Sequence, residues 1–80
     1  MFNMGKPTPA YWSVSRKFIN AEPRDQRRAR AADERARLAA AGFKDAYRFP
    51  LADRAAADAM AKRITDATGV AMSINEAADL

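Results

Sequence analysis

Arg24, Arg27, Arg28, Arg30, Arg35 and Arg37 crowd into a single short stretch of an 80-residue chain, and no other group of residues in it carries so concentrated a chemistry. A guanidinium group is permanently charged and offers a planar fork of N–H donors that matches the paired oxygens of carboxylates and phosphates. On a helix turning about 100° per residue, Arg24, Arg28 and Arg35 form one narrow ridge, while Arg30 and Arg37 form a second on the far side. Asp33 and Glu34 offset Arg30, Arg35 and Arg37 in part, which leaves the first ridge the less neutralised. Such a ridge is a solvated helix face, a dock for an acidic protein surface, or a dock for a nucleic-acid backbone. Upstream, Tyr11, Trp12, Arg16, Lys17 and Phe18 interleave rings with cations, the arrangement that stacks bases and holds phosphates. With one tryptophan in the chain, Trp12 is expected in the core, and Tyr11 on the opposite face is the better exposed contact. The candidate partner-binding residues are therefore Tyr11, Arg16, Lys17, Arg24, Arg27, Arg28 and Arg35.

Catalytic chemistry finds little to work with. The chain has neither histidine nor cysteine, which removes the commonest general base, the thiolate nucleophile, disulfides and the usual zinc ligands. Ser13, Ser15 and Ser73 have no histidine to activate them. Asp53, Asp58 and Asp66 lack the i, i+3 or i, i+4 spacing that would aim two carboxylates at one ion, and no glycine-rich phosphate loop is visible. The expectation is a protein that is not an enzyme and needs no cofactor or metal.

These residues must be positioned by a small set of elements. Residues 1–9, with Gly5, Pro7 and Pro9, read as a flexible arm, residues 10–75 as one compact domain, and residues 76–80 as an acidic tail. Trp12, Val14, Arg16 and Phe18 share one face at period two and suggest a first strand. Pro23 and Gly42 bracket a run of strong helix formers, giving a helix over about 23–41, whose Ala29, Ala32, Ala36, Ala39 and Ala40 form a small-residue face suited to close approach to a sheet. Phe43, Tyr47 and Phe49 alternate in a second strand ended by Pro50. A second helix over about 52–68 places Ala56, Ala59, Met60, Ile64 and Ala67 on one face and ends at Gly69, and Val70, Met72 and Ile74 alternate in a third strand. The order β-α-β-α-β predicts an α/β or α+β domain, a three-stranded sheet with two helices on one face. So small a core gains from association, and a sheet edge or the alanine face is the surface a homodimer would use.

Charge is uneven. The net +4 arises from residues 1–42, with nine Lys or Arg against four Asp or Glu, whereas residues 43–80 hold five against six. Neither a signal-peptide run nor a stretch near the roughly 20 apolar residues of a membrane span is present, so a cytoplasmic protein with no membrane partner is expected. Within the basic helix, Gln26 is the only neutral side chain suited to reading base edges, and Asp25, Asp33 and Glu34 lie among the arginines. Nucleic-acid binding is therefore expected to be weak or nonspecific, and a protein partner leads.

A cysteine-free and histidine-free chain of this length, with a strand-helix-strand core and the charged face RDQRRARAADERAR, resembles the small anti-CRISPR inhibitors encoded by phages and prophages. That resemblance, one of size and character, implies a stoichiometric inhibitor in a bacterial host cell that binds a Cas protein or surveillance complex and blocks engagement of target DNA. The alternative is a nucleic-acid-binding accessory protein that uses its arginine-rich helix.

Overall fold

The computed structural model describes residues 8–78. Within them the chain forms β1 (Tyr11–Arg16), α1 (Arg24–Ala40), β2 (Ala46–Pro50), a 3-10 turn (Leu51–Asp53), α2 (Arg54–Thr68) and β3 (Met72–Ala77). β1 is the central strand of a three-stranded sheet of order β2-β1-β3, and both neighbours run antiparallel to it. The architecture is α+β. β2 and β3 lie parallel to each other on either side of β1, so β2, α2 and β3 form a split β-α-β unit.

Strand register sorts the side chains into two faces. Trp12 lies opposite Phe49 and Glu76, Val14 opposite Tyr47 and Ile74, and Arg16 opposite Met72. Neighbouring side chains on a strand point to opposite faces, so these residues share the helix side of the sheet. Tyr11, Ser13, Ser15, Arg48, Ser73 and Asn75 make up the other. α2 lies across all three strands, and its Ala57 and Ala61 pack on Val14, with Trp12, Phe49 and Ile74 around them. Leu38 at the end of α1 joins Ile64 and Val70 in a second buried cluster. Full burial of a leucine or isoleucine contributes about 1.5–3 kcal/mol, so these few contacts hold α1 in place.

Helix boundaries follow local chemistry. The Asp53 carboxylate accepts the Ala56 N–H at 3.3 Å and caps α2, whose end is the left-handed Gly69 (φ 76°). α1 ends in a Schellman turn: the Gly42 N–H donates to the Ala39 carbonyl at 3.0 Å and the Phe43 N–H to the Leu38 carbonyl at 2.9 Å. Gly42 takes the left-handed φ of 84° that this turn requires.

Several expectations change. Phe43, expected in the second strand, has its N–H committed to the α1 terminus, and the strand starts at Ala46. Phe18 lies beyond β1 and is exposed, because the ladder partners of β1 end at Ala46 and Met72 and only the Lys17 N–H continues, to the Ala71 carbonyl at 3.0 Å. The acidic tail does not begin at residue 76: Glu76 and Ala77 pair with Trp12 and Tyr11 in β3, since β1 offers them unpaired backbone groups. Residues 79–80 and the first seven residues of the arm expected over 1–9 lie outside the described residues, and the Ala10 N–H bonds to the Ala77 carbonyl at 2.8 Å.

The alanine face of α1 is the largest change. Ala29, Ala32, Ala36, Ala39 and Ala40 are all exposed, while Arg27, Arg30, Ala31, Glu34 and Leu38 turn inward. The helix is rotated by roughly half a turn from the small-residue expectation, as the 100° step places Leu38 opposite the alanines. The inward face joins the fully buried Leu38 to long arginine stems, which cover apolar surface while their charged heads reach out.

Candidate functional site

The rotation of α1 sets its first ridge over the end of β1. Between them opens a cleft of about 570 Å³. Arg16, Lys17 and Phe18 supply one wall, Arg24, Arg27, Arg28, Arg30, Ala31 and Arg35 the other, and Ser15 and Asp45 complete the lining. Seven cations thus face one space with a single carboxylate among them.

The cations divide into two sets. Arg30 is fully engaged: its Nε donates to both Glu22 carboxylate oxygens at 3.1 and 2.9 Å, its Nη2 to Glu22 at 2.9 Å, and its Nη1 to Glu34 at 2.8 Å. Glu34 also holds Arg16 at 3.5 Å. The Arg30 hydrogen bond, reinforced by the charges of Arg30 and Arg27, holds the Glu22 carboxyl below its ordinary range against the opposing effect of partial desolvation. The same pairing, with Glu34 adding to it, raises Arg30. Arg27 donates from Nη2 to the Glu22 carbonyl at 3.3 Å, its guanidinium carbon stands 4.9 Å from the Phe18 ring centre, and its Nε is buried without an acceptor among the described residues.

The second set is unengaged. Among the described residues no side-chain hydrogen bond or ion pair ties down Lys17, Arg24, Arg28 or Arg35, and all four are exposed. Arg37, on the other ridge, pairs with Asp33 at 3.0 Å outside the cleft.

Of the residues singled out in the sequence, Arg16, Lys17, Arg24, Arg27, Arg28 and Arg35 come together in this one space. Tyr11 does not. It lies on the opposite face of the sheet with the Arg48 guanidinium 4.6 Å from its ring centre. Trp12 packs on the core side, donates its indole N–H to the Leu51 carbonyl at 3.0 Å and carries Arg54 over its ring. The interleaved aromatics of the sequence are therefore dispersed over three surfaces, and only Phe18 belongs to the cleft. Phe18 and Arg30, singled out in the sequence but not among the candidate partner-binding residues, also line the cleft, as does Asp45, which sequence reasoning missed; the signal for Phe18 is its place where the chain leaves the sheet, just before Asn20 and Pro23.

Among the described residues no group of three or more acidic side chains is assembled that could hold a metal ion, and no helix is long and apolar enough to cross a membrane. Comparison with protein families, curated proteins and solved structures finds no match to this chain.

Proposed function

We propose that this is a non-catalytic binding protein that docks its basic cleft onto an acidic surface of a partner protein, as a stoichiometric inhibitor of the anti-CRISPR kind. The partner would be a Cas effector complex, and the consequence a block to engagement of target DNA. The observation that carries the docking is the set Lys17, Arg24, Arg28 and Arg35, four exposed cations on facing walls of one cleft with no partner among the described residues. Arg16 and Arg30, which have carboxylates in reach, are engaged by them, whereas these four leave unpaired charge on the cleft. The Cas target rests on the likeness in size and charged-helix character alone.

Two features favour a protein partner over a nucleic acid. A strand-binding groove stacks successive bases on several aromatic side chains, and here one ring, Phe18, lines the cleft. Asp25 lies three residues from Arg28 on α1, which makes them neighbours on the helix surface, so a long phosphate backbone following the arginines also meets an acid.

The test reverses Arg24, Arg28 and Arg35 together to Glu. Exposed charges contribute about 0–1 kcal/mol each to folding, so the circular dichroism spectrum and melting midpoint should stay nearly unchanged. Interfacial charge pairs cost about 2–5 kcal/mol each when one member is lost, so capture of the partner from host extract, and inhibition of target-DNA binding by purified Cas effector complexes, should be abolished. Capture by the wild-type chain should survive nuclease treatment. A triple variant that folds and inhibits at wild-type strength would reduce the ridge to solvated surface.

A further inference from the structure

The segment that joins β1 to α1 exposes two large apolar residues in succession, Phe18 at 63% and Ile19 at 44%. Scattered apolar residues on a surface are ordinary. Phe18 lines the basic cleft and Ile19, the next residue in the chain, lies off its lining, so exposed apolar surface adjoins the unpaired cations.

The segment is held, not loose. Arg27 stacks over Phe18 at 4.9 Å and donates to the Glu22 carbonyl, and Glu22 is in turn gripped by Arg30. Ala21 adopts φ 62°, a left-handed conformation that disfavours any residue with a Cβ. The turn at Asn20 and Ala21 keeps Phe18 and Ile19 on the outside when burial would have removed them from water.

We infer that Phe18 and Ile19 form the apolar anchor of the interface, and that the cleft takes an acidic protein segment in which a large apolar side chain sits between carboxylates. This rests on the cleft-docking reading above and adds the partner chemistry to it. Charge complementarity calls for carboxylates opposite Lys17, Arg24, Arg28 and Arg35. The exposed ring and the neighbouring isoleucine call for an apolar side chain where those charges converge, the pattern of a desolvated hot spot surrounded by a polar rim. A phosphate backbone would satisfy the cations and leave Ile19 without a counterpart, and Arg27 already covers one face of the one ring that lines the cleft among the described residues.

The experiment uses the full chain and three fluorescent probes in anisotropy titrations at physiological salt. They are a short Asp/Glu-rich peptide with a central Leu-Phe pair, the same peptide with Ser-Ser in its place, and single-stranded oligothymidylate. The wild type should bind the Leu-Phe peptide about tenfold or more tightly than the Ser-Ser peptide, since apolar burial at an anchor contributes at that level. The double variant Phe18→Ser/Ile19→Ser should lose that preference and keep the weaker, salt-sensitive binding, with an unchanged circular dichroism spectrum; Phe18→Leu, which keeps the apolar contact, should retain it. The triple Arg→Glu variant should bind neither peptide. Equal binding of the two peptides by the wild type, or a preference that survives the double variant, overturns the anchor and leaves the acidic dock standing. Failure to bind either peptide, or tighter binding of oligothymidylate, overturns the dock and the anchor together.

Discussion

Arg28 and Arg30 sit two positions apart on one helix and meet opposite conditions. Arg30 turns inward and spends its donors on Glu22 and Glu34, whereas Arg28 faces the cleft and forms no ion pair among the described residues. Charge in the sequence is therefore a poor guide to charge available for binding; geometry assigns each arginine to structure or to surface. Glu22 makes the structural role measurable. Its carboxyl is held below the ordinary value of 4.5, first by the Arg30 hydrogen bond, so the folded chain binds protons there less readily than the unfolded chain. A lowered carboxyl contributes stability that is complete above pH 4.5 and is lost as pH falls through the lowered folded value. Melting midpoints of the wild type and Glu22→Gln, measured across pH, should differ above pH 4.5 and converge on acidification. A gap that stays constant into strong acid would show that the charge of Glu22 contributes nothing.

At the scale of elements, α1 has one buried side chain, Leu38. Leu38 is fully buried against Ile64 and Val70, while the five alanines once expected to pack are all exposed. Leu38→Ala should cost about 2–5 kcal/mol, the range for deleting a buried leucine side chain. Ala36→Lys should change stability by no more than about 0.5 kcal/mol, as surface substitutions away from special features do. Urea denaturation of the two variants separates the expectations: a large loss in Ala36→Lys would mean that the alanine face is packed after all. The loss in Leu38→Ala bears on binding too, because α1 carries one whole wall of the cleft.

Across the whole molecule, seven cations of the first half of the chain line one cleft, and a core of few residues suffices because α2 packs on every strand. Among the described residues the cleft has one aromatic ring and one aspartate on its lining. Duplex DNA should bind the isolated protein only weakly, and affinity should fall steeply with added salt, as phosphate contacts by counterion release require. Fluorescence anisotropy with duplexes of different sequence checks this, and a tight, sequence-dependent signal at physiological salt would place nucleic acid ahead of a protein partner.

Local chemistry in the chain was enough to mark the order of elements, because Pro23, Gly42, Pro50 and Gly69 act through backbone geometry that needs no neighbours. It was enough, too, to pick out Arg24, Arg28 and Arg35 as a ridge, since helical periodicity alone aligns them. Strand order, the antiparallel pairing of β1 with both neighbours and the pairing of Glu76 and Ala77 depend on contacts between distant segments, for which a single sequence carries no local signal. The face that α1 buries was decided the same way: counting small residues favoured the alanines, but the apolar area of Leu38 and the carboxylates of Glu22 and Glu34 turned the helix over. That rotation brought the arginine ridge against Arg16, Lys17 and Phe18, and so only the tertiary structure made a run of basic residues into a cleft.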